Sequence, residues 1–246
     1  MASKGNDSTT FKEKLEFFWK YNKIHVFIWA IGLIILGVFL YQKITTPVLI
    51  FHGMFLNASD QSTAVVDELA DDLLTTYNVD PTSGQVILKN TFNYYPGDEK
   101  KAEENFDSSE YILVEKDKQS LDFIVGPLSS VQDIAYNGLF QDLHNFLTDE
   151  ELDLCESYFL YVDQAVITEM SEAFEEDEDV SSIKIPDCKN PDEMENPVPI
   201  MIDISKSEKL SKIYDTEKLD EPLVLAIVTD APDTKLTLNF IQYLMK

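Results

Sequence analysis

The residues best suited to bind something gather at the ends of apolar runs. Gly126-Pro127-Leu128-Ser129-Ser130 follows one such run and opens a helical pattern. Backbone N–H groups at the start of a helix can face a polar ligand; the alternative is a plain turn with Ser129 as the cap. His52-Gly53 and Tyr94-Tyr95 stand near the ends of two further apolar runs. Ligands of open α/β sheets sit beyond the carboxyl ends of the strands, so these residues form a candidate ligand-binding edge with Ser129 and Ser130.

Two cysteines, Cys155 and Cys188, leave two readings open: a disulfide that ties an acidic insertion back to the preceding helix, or two buried thiols. The run Glu172 to Asp179 (EAFEEDED) crowds carboxylates but lacks the glycine and alternating oxygen ligands of a calcium loop, so no metal is expected there. The three histidines, His25, His52 and His144, are scattered, and no nucleophile elbow, zinc-protease or P-loop pattern occurs. The expectation is a protein without catalytic residues or cofactor. A net charge of -26 repels phosphate backbones, which argues against nucleic acid. Every basic residue is lysine, so the two-pronged guanidinium clamp on carboxylate or phosphate is missing from this chain.

The elements that must position these residues alternate in type. Thr46 to Leu56 and Gln85 to Tyr95 read as strands, with helical spacing of Val65, Leu69, Leu73 and Leu74 between them. Lys100 to Gln119 reads as mostly helical, Leu121 to Val125 as a short buried strand, and Ser129 to Tyr136 and Leu139 to Leu147 as helices. Tyr158 to Val166 and Val198 to Ile204 are strand candidates separated by the acidic stretch Glu172 to Pro197. Pro222 to Thr229 is a buried strand, and Asp233 to Met245 an amphipathic helix. Such alternation predicts an α/β fold whose doubly wound, mainly parallel sheet carries helices on both faces.

The segment LDFIVGPLSSVQDIAYNGLFQDLHNFL (Leu121 to Leu147) resembles a passage of bacterial extracellular solute-binding proteins of the type II periplasmic-binding class, and LVLAIVTDAPDTKLTLNFIQYL (Leu223 to Leu244) resembles their return into the first lobe. KEKLEFFWKY (Lys12 to Tyr21) resembles the opening of small membrane-anchored proteins of Gram-positive bacteria. The resemblance implies a first lobe from 46–150 plus 222–246 and a reduced second lobe at 158–220, within an extracytoplasmic domain of residues 42–246. It implies binding or sensing of a small solute. Against it stand the short second lobe and the placement of both tryptophans, Trp19 and Trp29, near or within the apolar run, so an envelope scaffold with a protein partner is the other expectation.

Ile24 to Tyr41 (IHVFIWAIGLIILGVFLY) holds no lysine or carboxylate. Its length spans roughly 27 Å at about 1.5 Å per residue, enough for a bilayer core. No small-residue cleavage site follows, which predicts an uncleaved signal-anchor at 24–41 in contact with membrane lipid. Trp19, Tyr21 and Tyr41 flank it as interfacial rings. The stretch Thr10 to Asn22 puts Phe11, Leu15, Phe18 and Trp19 on one helical face, and is expected to lie along the inner leaflet or to extend the membrane helix. Five lysines precede residue 24 against Asp7, Glu13 and Glu16. The excess of positive charge predicts a cytoplasmic tail at 1–23 and an acidic domain outside. Alkaline phosphatase fused after Lys246 should therefore be active and a green fluorescent fusion at the same point dark; the opposite pattern would invert the topology.

Overall fold

The computed structural model describes residues 11–45, 47–145, 147–148, 151–152, 155–176, 179–215, 219–232 and 234–245. It divides into two units, Met1–Pro47 and Val48–Lys246.

Among the described residues the first unit holds one continuous helix, α1 (Phe11–Thr45). Its stretch Phe18–Tyr41 has a mean hydropathy of 2.4 and no cover from other protein atoms, so by length and composition it can cross a membrane. Length and hydropathy suit a signal-anchor or a signal sequence. From Phe11 onward the segment before residue 24 belongs to this same helix.

The second unit is built on a six-stranded sheet, β1 (Val48–Phe55), β2 (Gly84–Lys89), β3 (Phe123–Pro127), β4 (Phe159–Asp163), β5 (Pro197–Asp203) and β6 (Leu223–Ile227), in the order β2-β1-β3-β6-β5-β4. β1 pairs in parallel with β2 and β3, while β3–β6, β6–β5 and β5–β4 are antiparallel. The sheet is thus mixed, and the expected parallel majority holds only for the β2-β1-β3 half. The strands expected in a second lobe, β4 and β5, hydrogen-bond onto the same sheet through β6. An antiparallel neighbour needs only a loop to return, whereas each parallel pair needs a crossover helix.

Strand composition sets the position of each strand. β3 and β6 are apolar at successive positions and buried on both faces, as central strands must be. β2 alternates inward Val86 and Leu88 with exposed Gln85 and Lys89, which suits an edge. One face of the sheet carries Phe51, Phe55, Phe123, Val125, Leu225 and Ile227 beneath α2 (Thr63–Thr76) and α6 (Thr234–Met245). The other carries Met54, Ile124, Val224 and Ala226 beneath α3 (Ala102–Asp117), α4 (Leu128–Tyr136) and α5 (Gln164–Glu175). The Phe123 ring centroid lies 5.1 Å from that of Phe51 and 4.6 Å from that of Phe240, both in tilted arrangement. Gly53 permits this: a Cβ there would lie 1.9 Å from the Phe123 ring.

Three elements differ from expectation. The strand expected over 85–95 ends at Lys89. Among the described residues of 139–147 there is no α-helix, only a 3-10 turn at Leu143–Asn145. Gly138 takes φ +71° and ends α4, and Phe140 bridges to Val228 and lengthens the sheet's hydrogen bonding. The strand expected over 158–166 stops at Asp163, whose carboxylate accepts from Ala165 N at 3.0 Å and starts α5. That side chain also accepts from the N–H groups of Glu195 (2.8 Å) and Asn196 (2.9 Å).

A chain beginning at Thr45 should be soluble without detergent and give a mixed helix and strand circular dichroism spectrum. Leu225 and Phe240 are fully buried, so Leu225→Ala or Phe240→Ala in that chain should each cost about 2–5 kcal/mol by urea denaturation. Full stability after deletion of residues 222–246 would contradict the single sheet.

Candidate functional site

At the carboxyl ends of β1 and β3, Asn57 adopts the left-handed conformation, φ +56°. Asparagine tolerates this region better than most side chains. Its amide nitrogen donates to the Tyr94 carbonyl (2.8 Å) and to Ser130 Oγ (3.0 Å), and its amide oxygen accepts from Tyr94 N (2.7 Å). Ser130 Oγ in turn donates to the Tyr94 carbonyl at 2.7 Å. The Tyr94 hydroxyl donates to Asp133 Oδ2 at 2.5 Å, on the next turn of α4. Burial and then that carboxylate push the Tyr94 hydroxyl well above its ordinary pKa, so it remains a donor. Tyr95 is pinned by Asn105, which accepts from Tyr95 N at 2.7 Å and donates to its carbonyl at 2.8 Å.

Ser129 meets a different partner. Its N–H and Oγ donate to the two oxygens of Glu221, at 2.6 and 2.9 Å. The helix start that could have met a polar ligand is therefore capped by a carboxylate from the loop before β6. A carboxylate at this place gains from the helix dipole as a bound anion would. Tyr94, Ser129 and Ser130 thus stand at one edge, with their polar atoms engaged by Asn57, Asp133 and Glu221. Those three partners were not foreseen; the one sequence signal was Asn57 itself, an αL-tolerant residue closing a strand.

Between α3 and α4, next to Tyr94, lies a cavity of about 350 Å³ walled by Ile112, Leu113, Ile134 and Leu139, with Ser109 and Asn137 as its other polar members.

His52 does not join this edge. Its N–H donates to Asp122 Oδ2 and its carbonyl accepts from Asp122 N, both at 2.8 Å, and Asp122 immediately precedes β3. His52 therefore stands at the amino end of β3, because β1 is longer than β3 and overlaps it only through its last residues. Its ring is buried against α3. Nε2 lies 3.1 Å from the Tyr111 hydroxyl, and Nδ1, without a hydrogen bond, is 3.8 Å from Glu115 Oε2. Burial lowers the His52 pKa more than Glu115 and the Ser120 backbone raise it, with Lys89 and Lys118 lowering it further. Burial pushes Tyr111 up to about 12, with Glu115 adding to the rise. Burial raises Glu115, but Lys118 and Ser120 outweigh it and hold the carboxyl below its usual value.

Cys155 and Cys188 are both buried and unbridged. Cys155 packs on the α2/α6 face of the sheet and Cys188 on the α3/α4/α5 face. Of the two readings the sequence left open, the structure shows two separate buried thiols. The acidic run continues α5 to Glu175, and residues 177–178 lie outside the described residues. Among the described residues no group of three His, Cys, Asp or Glu is placed to hold a metal ion.

Comparison with protein-family models, with curated proteins and with solved structures finds no match to this chain. What is established is an N-terminal apolar helix followed by a mixed α/β domain.

The His52 cluster makes acid sensitivity predictable in sign. A folded pKa below the ordinary 6.5 means the unfolded chain binds the extra proton first. Stability is then lost as pH falls below about 6.5 towards the folded value. Urea midpoints at pH 7 and pH 5 should differ more in the wild type than in His52→Gln; equal differences would show that His52 carries no such linkage.

Proposed function

We propose that this chain is a non-enzymatic, single-pass membrane protein whose acidic domain, on the extracytoplasmic side, binds another protein at the cell envelope. The observation that carries the reading is the internal use of the strand-end polar groups. Asn57, Asp133 and Glu221 already engage Tyr94, Ser130 and Ser129, where a solute-binding protein would present such groups to its ligand. A receptor of that class also holds its ligand between two lobes, and residues Val48–Lys246 form one compact unit here. Kinship with the solute-binding class would then survive as a lobe kept for its surface.

The cavity beside Tyr94 supports a second reading, capture of a small, largely apolar solute with one polar group. The two readings separate in one experiment. A solute at about 100 times its Kd adds about 2.7 kcal/mol, which raises the melting temperature of a domain of this size by roughly 5–10 °C. The interaction reading expects no such shift with sugars, amino acids, short peptides or aromatic acids. It also expects discrete heterologous adducts when photo-reactive side chains are placed on the domain surface in intact membranes. A melting shift that Leu113→Trp abolishes by filling the cavity would overturn it.

A further inference from the structure

Phe174 is 82% exposed although it lies within a helix that packs on the sheet. Burying a phenylalanine is favourable, and here that gain is left untaken. Ile167, Met170 and Phe174 follow one another at helical spacing along α5. With Tyr136 at the end of α4 and Val180 beyond α5, they line a groove of about 400 Å³. Methionine in such a floor adapts to different apolar knobs. Glu172, Glu175, Glu176 and Asp179 are exposed along the same stretch. No lysine occurs between Lys118 and Lys184, so neither α4 nor α5 carries a basic residue. Phe106 and Leu113 on α3 are also exposed, but Lys100, Lys101, Lys116 and Lys118 interrupt the charge around them.

Resting on the interaction reading, we infer that the groove between α4 and α5 is a docking site for a basic protein segment that inserts an apolar side chain beside Phe174. Charge selects the occupant. The exposed carboxylates of α5, with no basic residue on either helix, attract lysine and arginine and speed encounter with them, while like charge disfavours wrong partners. A second copy of this chain would bring an equally acidic surface against the first. Anionic lipid would be repelled in the same way. The floor then supplies the anchor, as in complexes where an amphipathic helix lays its apolar side chains into a groove.

The test uses the full chain in nanodiscs of zwitterionic lipid and a fluorescent helical peptide of leucine and lysine, followed by anisotropy and by the Met170 methyl resonance. The expected result is saturable binding that shifts the Met170 signal. Phe174→Ala should weaken it about tenfold, and so should the pair Glu175→Gln and Glu176→Gln. Asp71→Asn with Asp72→Asn, the same charge removed from exposed positions of α2, should change it by less than about twofold. All substituted side chains are exposed, so folding is retained. Binding indifferent to Phe174 and equally sensitive to both charge pairs would overturn the site as diffuse attraction. Self-association lost in Phe174→Ala would overturn it in favour of a second copy. Either result leaves the membrane cross-linking test of the interaction reading untouched, whereas a solute-dependent melting shift removes that reading itself.

Discussion

Residues Phe123–Pro127 and Leu223–Ile227 form an antiparallel seam at the middle of the sheet, and everything else in the domain is hung from it. To one side β3 continues the parallel β2-β1-β3 layer; to the other β6 admits β5 and then β4. The seam joins segments nearly a hundred residues apart, so its cost in chain entropy is met only when both faces are buried. They are: Leu225 and Ile227 go to one face with Phe51, Phe123 and Phe240, and Val224 and Ala226 to the other with Met54 and Ile124. Tyr214 secures the join further. Its buried hydroxyl donates to the Val125 carbonyl at 3.0 Å, drawing the β5–β6 loop onto β3.

The seam also explains why the strand ends are closed. The loop that delivers β6 carries Glu221 to the start of α4, and Leu128 N donates to the Pro222 carbonyl at 2.9 Å. On the other side of β3, the segment after β2 is held by Asn57 and Asn105. A buried polar group left unpaired costs about 1–3 kcal/mol, and the part-buried groups of Asn57, Tyr94 and Ser130 satisfy one another. Chemistry that seemed directed outward is spent on assembly.

The sequence made the sheet legible wherever a strand was apolar on both faces. Val48, Val86, Leu121 and Leu223 mark runs that do lie in one sheet, within two residues at the ends except that the run from Gln85 leaves the sheet at Lys89, six residues before Tyr95. Direction was not legible, because an apolar run such as LVLAI reads the same in a parallel or an antiparallel partner. For the same reason β4 and β5 read as a separate lobe: nothing in FLYVD or PVPIMID names the strand it will pair with. The helix expected at 139–147 failed because Leu139 and Phe140 are apolar at a spacing that serves a bridge as well as a helix. At the candidate site, type and neighbourhood placed Tyr94, Ser129 and Ser130 together, while Asp133 and Glu221 were hidden among 45 carboxylates. His52 was misplaced because strand length, which decides where β1 overlaps β3, is not visible in the residues around it.

The central claim is that the polar groups at the strand ends are engaged within the domain and are closed to a solute. Residue-resolved amide hydrogen exchange of the full chain reads this directly at Tyr94, Tyr95 and Ser129, whose N–H groups donate to Asn57, Asn105 and Glu221. The account predicts protection at all three approaching that of the neighbouring amides of β1 and β3. Exchange at solvent rates at these positions, with β1 and β3 protected, would show an edge that opens on its own and would contradict it.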